Sequence, residues 1–376
     1  MASRAHAMGG RMTKLQDVSR TQKFRALADA TARAATDAAP LEREKLLEAS
    51  STLSSLARSS ERRIKGNDDA VKLLPSNATK AEVTSSRRRQ ATRHGVDTYL
   101  PSLSDVVQIM PHELLRCSLF SSNRTVQAKN EQVLSGDISL LVANKKIASF
   151  NNVTVELSGY ELCQFDRIVY ATCLDYYRER PLSREMERRY VATNFYEFTQ
   201  RMGRSYSTIL HRSIRASLLR LSFAQLRIRK ERLNLEVPKL LSASFEDSEQ
   251  GSGSLVEVGR PRGSDRLWLQ VGESVAELFG PGAWSGFDQK MAHYTGLQGW
   301  LASFYATHQA PLWLDVKKLY DLSGYESRFS NFRKGLCEAL DKLKAPGTPR
   351  SCKIVDYRFT ADGTKVEVHK AAWKAA

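Results

Sequence analysis

One pattern, written twice, restricts what this chain can fold into. It is a short helix, a tight turn, and a longer helix studded with basic residues. The first copy runs from about Thr193 to Leu221 and the second from about Leu314 to Leu343. In the first, Thr193 to Met202 reads as a supporting helix with Phe195 and Phe198 facing a core. Gly203 stands at the turn, where tolerance of positive φ is useful, and Ser205 is placed to cap the next helix. That helix carries Leu210, Ile214, Leu218 and Leu221 at steps of three and four, the spacing of one buried stripe. Ser207, His211 and Arg215 form a second ridge at steps of four, flanked by Thr208 and Arg212. Between Arg201 and Arg232 nine Arg or Lys residues face one acid. The second copy has Asp315 to Leu322, a Ser323-Gly324 turn, and Ser327 to Lys344 with core residues Phe329, Phe332, Leu336, Leu340 and Leu343. A basic long helix behind a tight turn is the design of a helix-turn-helix, whose second helix lies in the DNA major groove.

Behind each copy the period shortens. Ala224 to Arg229, Lys239 to Phe245, Leu255 to Val258 and Arg266 to Val271 pattern as strands. Between them lie the Gly/Ser/acid-rich loop Glu246 to Ser254 and a turn at Pro261-Arg262-Gly263, bracketed by Arg260 and Arg266. In the second copy Cys352 to Phe359 and Lys365 to His369 flank Asp362-Gly363, a strong hairpin signal. Antiparallel strands behind a recognition helix make a wing. The expected class is therefore α+β: tandem winged-helix domains over residues 99–284 and 285–376. Scaffold elements precede each copy. In the first domain these are a short helix over Pro111 to Phe120 and strands at Ile138 to Val142 and Val153 to Leu157. A Ser158-capped helix then runs from Tyr160 to Tyr177. In the second domain the scaffold is a helix from Tyr294 to Thr307 with Leu297, Trp300, Leu301 and Phe304 inward. Residues 1–98 hold one aromatic, Phe24, and are rich in Ala, Ser, Thr, Arg and Lys. Such a segment buries too little apolar area to offset its ordering entropy, so a largely disordered basic tail is expected. Within it Leu41 to Ile64 could form a helix, and Arg87-Arg88-Arg89 closes it.

The formal net charge is +16, a footprint for a polyanion, of which nucleic acid is the usual one; the plain alternative is a solvated basic surface. The five cysteines show no CxxC spacing, which points to buried reduced thiols in a reducing cytoplasm. Clustered zinc ligands are missing from the sequence, and no metal or cofactor is expected. There is no apolar run of about 18 residues, so no membrane association is expected. The phosphate-loop, HExxH and GxSxG patterns are absent, as is a His-x-His pair. Asp166, Asp175 and Glu179 are interspersed with Arg167, Arg178 and Arg180, as on a salt-bridged surface. The expectation is a binding protein, not an enzyme. Arg bonds guanine bidentately and Asn does the same with adenine, each pair worth about 1–3 kcal/mol of discrimination. That makes Arg212 and Arg215 the base-reading candidates of the first unit, and Arg328 and Asn331 those of the second. Arg204, Ser207, Arg333 and Lys334 suit phosphate, with Arg260 and Arg262 at the wing. Thr208 and Ser327 flank these sets, and His211 reads as a polar groove-side residue. Any one such Arg is more often a solvated surface charge. The weight lies in the joint pattern.

Several blocks resemble TrfA-type plasmid replication initiators. They are Pro111-His112-Glu113 through Cys117-Ser118-Leu119-Phe120, then Asn123-Arg124, Tyr196-Glu197, and Ser327-Arg328 through Phe332-Arg333 to Leu340. The likeness spans about residues 105–370. It implies two winged-helix domains that bind directly repeated origin sequences (iterons) in double-stranded DNA. It also implies opening of adjacent A·T-rich DNA, recruitment of the host replicative helicase alongside the host initiator, and no catalysis. A homodimer in exchange with a DNA-binding monomer is implied too, the first winged helix forming the dimer face. Arg328, Asn331 and Arg333 match the DNA-contacting helix of the second domain. TrfA itself carries a Gln-Leu-x-Leu-Phe peptide for the host sliding clamp. Here that place reads Leu100-Pro101-Ser102-Leu103-Ser104-Asp105, without the Gln or the closing Phe, so a clamp contact is not implied. Two alternatives stay open: a sequence-specific winged-helix transcriptional regulator, and an RNA-binding or structural nucleic-acid protein.

Overall fold

The computed structural model forms two units, Met1–Thr98 and Tyr99–Ala376. It describes residues 25–30, 32–34, 36, 47, 50, 91–94 and 97–98 of the first, and 99–101, 107–178, 180–182, 190–230, 233–246, 261–280, 282–308 and 310–372 of the second. In the first unit residues 25–30 and 32–34 are helical, and the Ser50 hydroxyl donates to the Ala28 carbonyl at 3.0 Å. The alanines that make this stretch poor in core residues also make it a good helix former. Apart from Leu47 and Ser50, the expected helix over residues 41–64 lies outside the described residues, as does the Arg87-Arg88-Arg89 run.

The second unit mixes helices and antiparallel sheets. In chain order its main elements begin with β1 (Val107–Pro111), β2 (Leu141–Ile147), β3 (Thr154–Tyr160), α1 (Gln164–Asp175), β4 (Val191–Asn194), α2 (Phe195–Arg201) and α3 (Thr208–Phe223). They continue with β5 (Gln225–Lys230), β6 (Leu233–Val237), β7 (Leu241–Glu246), β8 (Arg266–Val271) and β9 (Trp284–Asp288). The last are α4 (Gly296–Ala306), β10 (Trp313–Asp315), α5 (Val316–Ser323), α6 (Phe329–Lys344), β11 (Ile354–Phe359) and β12 (Lys365–Lys370). Two three-stranded sheets share one plan. The order helix, short strand, short helix, long helix, hairpin runs from α1 to β8 and again from α4 to β12. In each the last strand pairs back onto the short one, β8 on β4 and β12 on β10. The first copy has an extra hairpin, β5–β6, which joins β3 and β2 in a separate four-stranded sheet. The strand expected at Ala224–Arg229 belongs to that sheet and not to the wing. The strand expected at Leu255–Val258 lies outside the described residues.

Local chemistry explains where the elements begin. The helix expected from Tyr160 starts at Gln164 instead, because residues 154–160 pair as a strand. Asp166 then closes a capping box by accepting from the Cys163 backbone N–H at 2.8 Å. Asn194 caps α2 by accepting from the Glu197 N–H at 2.7 Å. Ser207, not Ser205, caps α3, accepting from the Leu210 N–H at 3.2 Å. Gly324 ends α5 at φ +57°, as its turn requires. The helix expected over Pro111–Phe120 is one turn, His112–Leu115, since Val107–Pro111 pairs with Trp284–Asp288. That pairing places the expected 284/285 domain boundary at the edge of a strand hydrogen-bonded to the start of the unit. Other ties cross the same seam. The Trp300 indole donates to the Cys117 carbonyl at 3.2 Å, and the Arg116 Nε to the Thr307 hydroxyl at 2.7 Å.

Candidate nucleic-acid interface

In α6 the sequence pattern and the packing agree. Phe332, Leu336, Leu340 and Leu343 are fully buried against α4, α5 and β11. This leaves Ser330, Asn331, Arg333 and Lys334 exposed on the opposite side, with Arg328 exposed just before the first turn. Among the described residues Arg328, Asn331 and Lys334 have no hydrogen-bonded or ion-paired side-chain partner. The Arg333 guanidinium lies over the Phe359 ring at 5.0 Å and close against Gly363 of the β11–β12 hairpin, so it is held against that hairpin while still exposed. The Ser327 carbonyl accepts from Tyr320 Oη at 3.1 Å, fixing the approach to the helix. Phe329, expected in the core, is 44% exposed, with its ring edge-on to Tyr320 at 5.4 Å and the Lys317 ammonium above it.

In α3 packing overrides the expected outward ridge. His211 is fully buried, stacked on Phe195 at 3.6 Å, with Tyr206 Oη 3.3 Å from its Nδ1. Arg215 is 2% exposed and lies over Phe245 at 4.5 Å. Neither side chain can reach a base edge from there, so His211 is not a groove-side residue and Arg215 not a base reader in this structure. Helix α3 lies between α1 and the sheets formed by β3 and β7, and everything from Ile214 to Leu221 is buried. On either side of that stretch it reaches solvent, at its start through Thr208, Ile209 and Arg212, next to the exposed cap Ser207, and at its end through Phe223. Arg212 is ion-paired with Glu131. Arg204 is half-buried, its Nε donating to the Ala292 carbonyl at 3.2 Å. It ties the two halves together instead of offering itself to phosphate, and burial holds its pKa below the ordinary value. Arg262 is exposed on a turn whose Gly263 packs on Tyr196 and Tyr206, and its backbone N–H donates to Asp265 at 2.9 Å. Arg260 lies outside the described residues.

Sequence patterning passed over Ile209, which is 78% exposed. The available signal was its position one residue off the stripe of Leu210, Ile214, Leu218 and Leu221.

Of the acids singled out around α1, Asp166 and Asp175 are ion-paired and Glu179 lies outside the described residues. Asp166 is fully buried and paired with Arg220 at 2.8 Å, which corrects its expected surface location. Asp175 holds Arg178 and, at 2.8 Å, Arg201, beside a cleft of about 880 Å³ that also exposes Tyr176, Tyr196 and Gln289. Cys117, Cys163, Cys173 and Cys352 are buried free thiols, and Cys337 is half-buried. Burial pushes Cys117 and Cys352 up to about 12. No group of three or more His, Cys, Asp or Glu residues suited to a metal occurs among the described residues, and none of their helices is long and apolar enough to cross a membrane. Of the sliding-clamp position, residues 102–105 lie outside the described residues.

No protein-family model and no curated protein sequence matches the chain. Two solved structures of domains 2 and 3 of RctB are distantly similar. One has a TM-score of 0.40 at 14% identity, covering 65% of this chain and 99% of that one. The other has a TM-score of 0.37 at 14% identity, covering 61% and 90%.

Proposed function

We propose that the chain is a sequence-specific duplex-DNA-binding protein built on two winged helices, and that it initiates replication at directly repeated origin DNA without a catalytic step of its own. The observation that carries this reading is the doubled order of short strand, short helix, long helix and hairpin, with the last strand returning to the first. In the second copy an exposed face of Arg328, Asn331, Arg333 and Lys334 backs onto a fully buried apolar stripe. An outward polar and basic face over an apolar back is what a major-groove helix needs. The hairpin behind it, with Arg333 leaning on Phe359, suits a phosphate contact from the wing. Joined in one chain, two such helices bind with a high effective concentration of the second once the first is bound.

The replication role rests on the family-like blocks. One of them, Pro111 to Phe120, contributes to the seam where β1 pairs with β9 and where Trp300 meets Cys117. In this reading the partners are origin repeats, the host helicase and host initiator, and a second copy of the chain in the inactive form. The test has two parts. Selection from a randomised duplex pool should enrich one sequence. The DNA flanking the gene, joined to a marker lacking an origin, should be maintained only when the gene product is supplied. Maintenance without the product would remove the replication role. Equal affinity for matched double-stranded RNA would remove the DNA reading.

A further inference from the structure

We propose that Ile209 reads the 5-methyl group of a thymine; this rests on the reading that α3 enters the major groove of duplex DNA. Ile209 is the second residue of α3 and is 78% exposed, although the stretch from Ile214 to Leu221 of the same helix is buried. It lies off the core stripe, where Ile214, Leu218 and Leu221 have no exposure at all. Packing therefore does not explain why a large branched apolar side chain occupies this position.

The polar side chains around it are committed elsewhere. Ser207 Oγ accepts from the Leu210 N–H, Arg212 is paired with Glu131, and His211 and Arg215 are buried. What α3 presents outward at its start is Thr208, Ile209 and the Glu131-paired Arg212, and of these Ile209 is the one large apolar side chain. An isoleucine offers no hydrogen bond, so it can discriminate only by apolar contact. On the floor of the major groove the thymine methyl is the apolar feature that distinguishes one base from the others. The second long helix independently repeats the arrangement. Phe329 opens α6 at 44% exposure, next to Arg328 and Asn331, while Phe332 one turn on is fully buried. Each long helix thus carries one large apolar side chain at the end expected to approach base edges.

The experiment uses the full chain and a duplex that it enriches from a randomised pool. Uracil replaces thymine one position at a time, removing only the methyl and leaving base pairing unchanged. The expected result is one thymine whose replacement weakens binding about fourfold, the effect of one buried methyl. Ile209→Ala should bind the thymine and uracil forms equally well, while Ile209→Val should keep part of the difference. A difference that survives in Ile209→Ala would overturn the assignment, as would the absence of any sensitive thymine. Either outcome leaves duplex recognition intact. A chain that enriches no duplex overturns that underlying reading and the assignment together.

Discussion

Asp166 and Arg220 meet at the centre of the second unit with almost no exposure. Arg220 gives Nε and Nη2 to the carboxylate at 2.8–3.1 Å and Nη1 to Asn130 at 2.8 Å. Removing one member of such a pair strands the other in a dry site. Asp166→Ala should cost about 3–5 kcal/mol, read as a shift in urea midpoint, whereas exposed Lys334→Ala should leave the midpoint unchanged within error. A second residue-scale prediction concerns pH. Burial, followed by the charges of Arg116 and His308, holds His112 at about 3. Burial is also the largest effect on His308, holding it at about 4, with Arg116 and Lys370 adding to it against a hydrogen bond to the Phe304 carbonyl. Both values lie below the ordinary 6.5, so the folded state binds fewer protons than the unfolded one. Their contribution is complete above about pH 6.5 and declines as pH falls toward 4 and then 3. Melting temperature should therefore drop between pH 7.5 and 5. A His112→Gln, His308→Gln variant should lose less over that window, and a flat wild-type profile would contradict the effect. At this scale sequence patterning found the outward set Arg328, Asn331 and Lys334, because α6 lies on one side of its domain and its periodicity maps directly onto burial. It misplaced His211 and Arg215 because α3 is covered from several sides, and a helical ridge carries no information about a third neighbour.

Among the elements, the long helices, the Gly203 and Gly324 turns and the terminal hairpin were legible from stripe spacing and turn chemistry. The short strands β4 and β10 were not. Three or four residues show too little alternation to register as a strand, and the helices expected from Thr193 and Asp315 overlapped their ends. Strand β5 was visible, but alternation does not name a partner, so its sheet was misassigned, and its hairpin partner β6 was not read as a strand. A prediction belongs to the α5–α6 turn. Gly324 is left-handed at φ +57°, and a Cβ there would stand 2.9 Å from Ser121 Cβ. Gly324→Ala should destabilise by about 1–2 kcal/mol from the backbone alone, seen as a lowered melting temperature. An unchanged melting temperature would mean that the turn relaxes freely.

For the whole molecule, if the chain binds DNA as proposed, its charge of +16 and the outward face of α6 predict a steep salt dependence of that binding. If six to ten phosphates are neutralised, affinity should fall by about 10³ to 10⁵ between 50 and 200 mM salt; a shallow slope would limit contact to one helix. The doubled plan was readable from sequence because each copy repeats its helices and hairpin in the same order. The continuity between the copies was not, since pairing of β1 with β9 joins segments about 175 residues apart that carry no mutual signature. The most direct test of the central claim is a specificity ratio. It compares affinity for the selected duplex with that for a scrambled duplex at one salt concentration, in the native chain and in Arg328→Ala, Asn331→Ala. The native chain should prefer the selected duplex by about a thousandfold or more, and the variant should lose at least about tenfold of that preference with its affinity for scrambled DNA nearly unchanged. Equal loss on both duplexes, or no preference in the native chain, would contradict base reading by α6.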